Sequence, residues 1–336
     1  MAKKTQSKNA LAFIFATVVL DTIGIGIIFP IMPDLLSDLG YNNIAEAAMW
    51  AGFLSACYAF MQFLFSPIIG TISDAFGRRR IILVALLAMC VDYMILGFSG
   101  ALWVLFVGKL VAGITGSTIP TATAYLADIS SEKERAKNFG LIGAAFGIGF
   151  IFGPLIGGLL GEISPRAPFF MSAFLAGMNF LFGFFVLPES LPINRRRGIS
   201  LMDLNPFRSL IKVFSNESFR IIFLCIFLVQ IGNWVYPSVW SFWAKANFSW
   251  TTSMIGVSLA AYGVGIAFVQ GVVIRHKKIE NFGPRKVIIF CLLIGAFALS
   301  GFGSISAGWL VFVLIPLAAL SEMFDPTIKA YLSNQV

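Results

Sequence analysis

Charged residues are scarce in this chain of 336 residues: only 12% are Asp, Glu, Lys or Arg, whereas 58% are hydrophobic. A soluble domain of this length cannot bury so much apolar surface, so the composition excludes a water-soluble globular protein. The mean hydropathy of +0.87 is typical of a chain that lipid covers. The sequence therefore predicts an all-α integral membrane protein.

Reactive side chains are also rare. The chain has one histidine, His276, and four cysteines, each within an apolar run. We interpret the cysteines as packing residues rather than disulfides or metal ligands. The polar segments contain no nucleophile–base pair, metal-ligand cluster or phosphate-binding loop. The sequence thus argues against an enzyme, and we expect neither a cofactor nor a metal site.

Long apolar runs are what the sequence has in abundance. A helix that crosses a bilayer needs about 20 mostly apolar residues. Ten runs meet this requirement, and we number them span 1 to span 10: 10–31, 48–70, 81–99, 102–125, 138–160, 168–187, 219–241, 250–273, 286–304 and 308–331. The first run follows a basic segment but contains Asp21 and no cleavage site, so we expect a retained helix rather than a signal peptide.

The basic residues divide unequally between the two sides of these spans. Of 24 Lys and Arg, 20 lie in the N-terminal segment and in alternate loops, whereas only Arg166 and Lys245 lie in the others. The positive-inside rule then places the N-terminus in the cytosol and the chain in the cell (inner) membrane. This asymmetry explains the net charge of +8 without a nucleic-acid partner.

A short polar turn between spans 2 and 3, the segment 70–80, is the first landmark; we call it the hinge. It contains Gly70, Asp74 and Gly77, and Arg78, Arg79 and Arg80 follow. A weaker copy occurs about 200 residues later, where Glu280 and Gly283 repeat the Asp74–Gly77 spacing. Two copies of one hinge suggest a duplicated bundle. We predict a six-helix bundle over 1–187, a cytosolic linker over 188–218 and a partial bundle of four helices over 219–336.

In the first six spans, three charged residues interrupt the apolar runs: Asp21 in span 1, Asp92 in span 3 and Lys109 in span 4. A carboxylate at mid-membrane costs about 2.5–3.5 kcal/mol, so each should face a wet cavity or a cation. The alternative is a structural hydrogen bond between helices. Lys109 requires a carboxylate partner unless it extends outward to the membrane surface, and the sequence does not choose between Asp21 and Asp92.

Span 5 carries a glycine-rich pattern that favours close helix packing with a kink. Its members are Gly149, Gly153, Pro154, Gly157 and Gly158. In the turn before it, Asp128 and Arg135 are placed to pair with the hinge arginines and close that side. The alternative is two solvated loop charges.

Spans 7 and 10 contain further polar positions. Gln230, Asn233, Trp234 and Pro237 share one face of span 7, and with Gln62 and Gln270 they suggest a drug-binding pocket. Hydrogen bonds between helices are the alternative explanation. In span 10, Glu322, Asp325 and Lys329 either pair near the membrane surface or supply a second charged site.

Together these motifs resemble the major facilitator superfamily, in particular its twelve-helix drug:proton antiporters and, among them, the tetracycline/proton antiporters. The hinge, Asp21 with its neighbouring glycines and prolines, and the 149–158 pattern carry the resemblance to the antiporters. Asp92-Tyr93 and the segments 161–165 and 308–312 carry the resemblance to the tetracycline group. The resemblance implies a major facilitator fold of two pseudo-symmetric bundles, with 6 + 4 spans here against twelve in the family, and hence a chain truncated after span 10.

The resemblance also implies a mechanism, alternating access, in which protons run inward and drug runs outward through a monomer. Asp74, Arg78, Asp128 and Arg135 would form a cytosolic gate, and Asp21, Asp92 and Lys109 would line the path of proton and substrate. This chain departs from the family at Ala75, where a basic residue is usual, and at Lys109, where arginine is usual. It departs from the tetracycline group at Gly295, where that group has an acid, and near Ile266, where that group has a histidine. A proton-coupled metabolite transporter and a non-transporting remnant remain as alternatives.

Overall fold

The computed structural model describes residues 2–116, 118–196, 198, 204–207, 217–274, 276 and 282–333, and helices dominate these ranges. Within them, ten segments are long and apolar enough to cross a membrane, as the sequence predicts. Six spans are single helices: Ile44–Phe76 (span 2), Arg78–Gly97 (span 3), Glu132–Ile163 (span 5), Ala167–Val186 (span 6), Glu217–Phe248 (span 7) and Pro284–Ser304 (span 9). Span 8 is Thr252–Phe268 followed by the π-helical turn Val269–Val273.

The remaining three spans are each divided in two. Span 1 comprises Ala2–Gly26 and Ile28–Asp38, span 4 comprises Leu102–Thr115 and Thr118–Ile129, and span 10 comprises Trp309–Ser321 and Phe324–Ser333. In each case the division lies about four residues before a proline, at Pro30, Pro120 and Pro326. Proline has no N–H to donate to the carbonyl four residues earlier, so the helix loses a bond there. From the sequence, Pro30 and Pro33 predict a bend at the outer end of span 1, whereas the breaks in spans 4 and 10 were not predicted.

Several helices run further than the apolar runs that predict them. The helix of span 2 has 33 residues, which is about 50 Å at 1.5 Å per residue, against a hydrocarbon core of about 30 Å. Span 7 also continues to Phe248, so Lys245 lies in its last turn and not in a loop, as the charge count assumed. Helical hydrogen bonds continue past the first charged residues, whereas the apolar run that predicts a span ends there.

The two hinge copies share one backbone conformation. Gly77, between spans 2 and 3, has φ +104°, and Gly283, before span 9, has φ +76°. These values favour glycine because a side chain would be strained there. The correspondence of Gly77 and Gly283 predicted from the sequence is therefore confirmed, while Glu280 lies outside the described residues.

Span 5 lies at the centre of the packing, in contact with span 1 on one side and span 8 on the other. Span 3 packs against span 6, span 2 against span 4, and span 10 against spans 8 and 9. We call the end of the helices opposite the hinge the far end. There, Phe242 of span 7 joins a core cluster with Ile31 and Leu35 of span 1.

Candidate functional site

A buried polar cluster lies among spans 1 to 4. Asp21 is 5% exposed and Asp92 is 4% exposed. Thr118, at the start of the second helix of span 4, is 1% exposed, and its hydroxyl is the polar side chain that acts on Asp21. The hydroxyl of Tyr93 lies against Gly24, where a Cβ would come within 3.0 Å of it. Tyr93, which follows Asp92 in sequence, interacts electrostatically with both carboxylates, so the structure brings the two into one cluster.

Lys109 lies beside this cluster, on the side of Asp92. Its ammonium group interacts electrostatically with Asp92 and lies 5.9 Å from the centre of the Tyr58 ring. Gly108 leaves room for the carboxylate, since a Cβ at that position would lie 2.9 Å from Asp92 Oδ1. Of the two candidates left open by the sequence, the geometry favours Asp92.

Gln62 connects span 2 to the break in span 4. Its amide nitrogen donates to the carbonyl of Gly116 and to the hydroxyl of Tyr58, each at 3.1 Å. The Gly116 carbonyl is the group that Pro120 cannot satisfy, so Gln62 replaces the lost helical bond. Neither this role nor that of Tyr58 was predicted. The signal that identifies the free carbonyl is a proline four residues after a glycine within an apolar run.

The pocket predicted on span 7 is not assembled as expected. The hydrogen bonds of Gln62 place it in the first-half cluster instead. Trp234 is 58% exposed, and Gln270 lies exposed in the π-helical turn of span 8. Gln230 is half-buried on its helix, and the side chain of Asn233 lies outside the described residues. The four span-7 positions share a face, but the described contacts do not enclose a site around them.

The hinge end holds an ion-pair network centred on Arg78. Its guanidinium contacts Asp74 Oδ1 at 2.6 Å, Asp128 Oδ2 at 3.3 Å and Ser73 Oγ at 2.5 Å. Ser190 donates to the same Asp128 oxygen at 3.1 Å. The predicted contact between Asp128 and the hinge arginines is therefore present. The side chain of Arg135 lies outside the described residues.

Glu189, which sequence analysis missed, closes this network from the segment after span 6. Its carboxylate accepts a hydrogen bond from the backbone N–H of Arg78 at 2.9 Å, at the start of span 3. A Cβ on Gly77 would overlap this carboxylate. Arg79 donates to the carbonyl of Phe184 at 2.7 Å, at the end of span 6. Gly70, in contrast, lies within the helix of span 2 with no close neighbour.

The glycine pattern of span 5 has two packing faces. Gly149, Gly153 and Gly157 approach span 1, where a Cβ on each would collide with the helix around Thr22, Gly26 and Ile27 respectively. Gly158 approaches span 8 instead, with the carbonyl of Thr252 2.8 Å from the position of its Cβ.

Pro154 lies between these faces. Its ring lies against Gly26 of span 1, and its carbonyl lies against Gly256 of span 8. The pattern therefore allows span 5 to pack closely against both halves of the protein at once.

The far end carries a second polar network that sequence analysis missed, formed by Asp34, Lys245 and Thr252. Asp34 Oδ1 accepts from the ammonium of Lys245, and Asp34 Oδ2 accepts from the hydroxyl of Thr252 at 2.7 Å. We call these three residues the far-end latch. The available signal was that Lys245 is one of only two basic residues on that side of the predicted spans.

The second half has a smaller polar site in span 10. Tyr262 of span 8 donates to Glu322 Oε1 at 2.7 Å, next to the break at Glu322–Met323. Asp325 lies half-buried one turn further on, and the side chain of Lys329 lies outside the described residues. The pair Asp325–Lys329 therefore remains a prediction, whereas Glu322 has a partner on another span.

Comparison with known proteins connects this arrangement to one family. The family model described as Major Facilitator Superfamily matches residues 14–336. "Tetracycline resistance protein, class C" from Escherichia coli is 38% identical over 331 residues, covering 98% of this chain and 83% of that protein. The class B protein from Escherichia coli is 35% identical, covering 94% and 78%. "Multidrug resistance protein 2" from Bacillus subtilis (strain 168) is 28% identical, covering 98% and 82%.

Solved structures give the same fold. The human organic anion transporter MFSD10 superposes with a TM-score of 0.72 at 22% identity, over 97% of this chain and 86% of that one. A nucleoside transporter, NupG, superposes with a TM-score of 0.72 at 12% identity, over 96% and 83%. At these identities the likeness concerns the arrangement of helices alone.

Proposed function

Because the chain belongs to the Major Facilitator Superfamily, we propose that it exports small amphipathic drugs, tetracycline-like compounds among them, in exchange for protons. The chain is a multi-pass membrane transporter and not an enzyme. Relatives named as tetracycline resistance proteins, 32–38% identical over nearly the whole chain, support this choice of cargo.

The observation that carries the proposal is the pair of buried carboxylates, Asp21 and Asp92, in one cluster with Lys109. An ionised carboxylate is costly in hydrocarbon, whereas a protonated one is much less so. Binding of a proton therefore changes which arrangement of the surrounding helices has the lower free energy. A cluster with this property couples proton entry to a change of access, with the proton gradient as the energy source and no bound cofactor.

The remaining motifs have roles in the same cycle. In our proposal spans 1–6, within residues 1–187, and spans 7–10, within 219–336, move as two bundles joined by the linker 188–218. Span 5 packs closely against both span 1 and span 8, which supports an axis of this movement at span 5. The Arg78 network forms the gate at the hinge end. The excess of basic residues there supports a cytosolic position for this end and for the N-terminus. The protein acts as a monomer.

Everted membrane vesicles with an imposed pH gradient test the coupling role. We expect Asp21→Asn and Asp92→Asn each to reduce gradient-driven tetracycline uptake to background, because asparagine keeps the shape of the side chain but cannot exchange a proton. Asp38→Asn is the matched control, since Asp38 is exposed at the far end. Protein in the membrane is quantified for each variant. Uptake at the control level in both cluster variants would overturn the proposal.

A substrate panel tests the cargo separately. Wild-type vesicles are given tetracycline, a hydrophobic cationic dye and a polar metabolite mixture under the same gradient. Uptake of tetracycline or the dye that collapses with a protonophore supports drug export. Gradient-driven uptake confined to metabolites would assign the chain to another branch of transport.

A further inference from the structure

The far-end latch joins the two halves of the protein by charge. Asp34 extends from the short second helix of span 1 and binds Lys245 of span 7 with one oxygen and Thr252 of span 8 with the other. The side chains of Asp34 and Lys245 are 26% and 35% exposed, so water reaches the pair only in part. One carboxylate thus connects three spans.

Neighbouring hydrogen bonds support the latch. Ser241 of span 7 donates to the carbonyl of Phe29 at 2.6 Å. Glu162, at the end of span 5, accepts from the backbone N–H of Ser253 at 3.3 Å, and Ser253 Oγ donates to the carbonyl of Gly158 at 3.4 Å. The first turn of span 8 is therefore held by both span 1 and span 5.

Within the described ranges, the polar contacts that join spans 1–6 to spans 7 and 8 gather at this end. The Arg78 network at the hinge end, by contrast, links spans 2, 3 and 4 with the segment after span 6. An alternating-access cycle requires the closed end to open, so the latch contacts must break once in each cycle. An interface held by one shared carboxylate separates as a unit, because losing Asp34 leaves both of its partners without an acceptor.

We propose that Asp34 is a gating residue, which holds the far end closed by binding Lys245 and Thr252 and releases both when that end opens. The inference rests on the proposed transport cycle but not on its cargo or its coupling ion. Asp34 touches neither the buried polar cluster nor Arg78, so it is a positioning residue that acts through spans 7 and 8.

Thiol labelling measures opening directly. The four native cysteines are replaced, and Ser241→Cys, a nearly isosteric change at a residue 2% exposed, reports access to the interface. A membrane-impermeant maleimide is added to right-side-out and to inside-out vesicles. We expect Asp34→Asn or Lys245→Met to raise the labelling rate about tenfold or more, since a charge-assisted bond across the halves is lost. Asp38→Asn should leave the rate unchanged.

The charge exchange separates gating from loss of folding. The double variant Asp34→Lys with Lys245→Asp should label nearly as slowly as the parent, because the ion pair reforms with reversed sign. A single variant that labels at the parent rate would overturn the proposal, as would a double variant that labels as fast as the singles.

A reversible lock provides a second test. Asp34→Cys with Lys245→Cys, joined by a short reducible cross-linker, should stop transport, and reduction should restore it. Transport that continues while the pair is cross-linked would overturn the proposal.

The labelling result is independent of the proposed function. Absence of drug uptake in the parent protein, together with the expected labelling pattern in the variants, would reject the cargo and keep the latch. Labelling confined to inside-out vesicles would reverse the proposed orientation but still place the opening at the latch.

Discussion

The two ends of this protein use similar side chains for different connections. At the hinge end, Arg78 forms ion pairs with Asp74 of span 2 and Asp128 of span 4. At the far end, Asp34 binds Lys245 and Thr252 of the other half of the chain. The first network stays within one half, whereas the second crosses between halves. Substitutions at the hinge end should therefore change the stability of the first half, and those at the far end should change how the halves meet.

The largest effect is expected at Gly77. Its φ of +104° and ψ of 143° strain any residue with a side chain, at a cost of about 1–3 kcal/mol. In Gly77→Ala the new methyl group would also overlap the Glu189 carboxylate. We expect a clear fall in the thermal unfolding midpoint of the detergent-solubilised protein, followed by tryptophan fluorescence.

Gly283→Ala is the matched control for this substitution. Gly283 has φ +76° and ψ 150° but no neighbour within 4 Å of its Cβ position, so only the backbone strain applies. The fall in the midpoint should be smaller than in Gly77→Ala. Equal falls in the two variants would show that Glu189 moves aside easily and that the hinge-end network is not rigid.

A smaller loss of stability is expected for Gln62→Leu. Gln62 lies between the two ends of the protein. The substitution leaves the Gly116 carbonyl without its hydrogen-bond donor, at a cost of about 1–3 kcal/mol in unfolding free energy. Pro120→Ala supplies a backbone N–H that can satisfy this carbonyl within span 4. In that background the cost of Gln62→Leu should shrink, as measured by a double-mutant cycle. Additive costs would show that Gln62 stabilises the cluster by another route.

Arg78→Lys should have a further reduced effect, of about 1 kcal/mol. Lysine keeps the charge but cannot bind Asp74, Asp128 and Ser73 through one planar group. Arg80→Lys is the control, because Arg80 is exposed. Thermal unfolding should distinguish the two, while labelling at the far end should be the same in both. A change of far-end labelling in Arg78→Lys would show that the networks are coupled.

The ten spans and the hinge could be predicted because each depends on composition or on a single backbone requirement. Long apolar runs have few alternatives to membrane helices, and the repeated Asp/Glu–Gly spacing identified the positive-φ glycines of the two hinge copies, Gly77 and Gly283. The buried charges at positions 21, 92 and 109 could be found for the same reason, since a charge in an apolar run is costly wherever it points.

Contacts between distant segments could not be predicted in the same way. Lys109 interacts with Asp92 rather than with Asp21, and the Asp92 carboxylate fits there because Gly108 has no side chain. Glu189 and Asp34 lie in ordinary polar positions at helix ends, where the sequence shows no cost that requires a partner. Their roles follow only when the packing of spans 3, 7 and 8 brings a backbone N–H, an ammonium and a hydroxyl to them.

The smallest effect is expected when one hydrogen bond between the halves is removed and compared with one hydrogen bond within a single helix. Ser241 and Ser238 lie one turn apart on span 7, but Ser241 donates across the halves to Phe29, whereas Ser238 donates to Trp234 of its own helix. Ser241→Ala should weaken the closed far end by about 0.5–1.5 kcal/mol. Hydrogen exchange in peptides covering the first turn of span 8 should rise modestly in this variant and stay unchanged in Ser238→Ala. Equal exchange in both would mean that bonds between the halves contribute no more than bonds within one helix, and the distinction between the two ends would then depend on Asp34 alone.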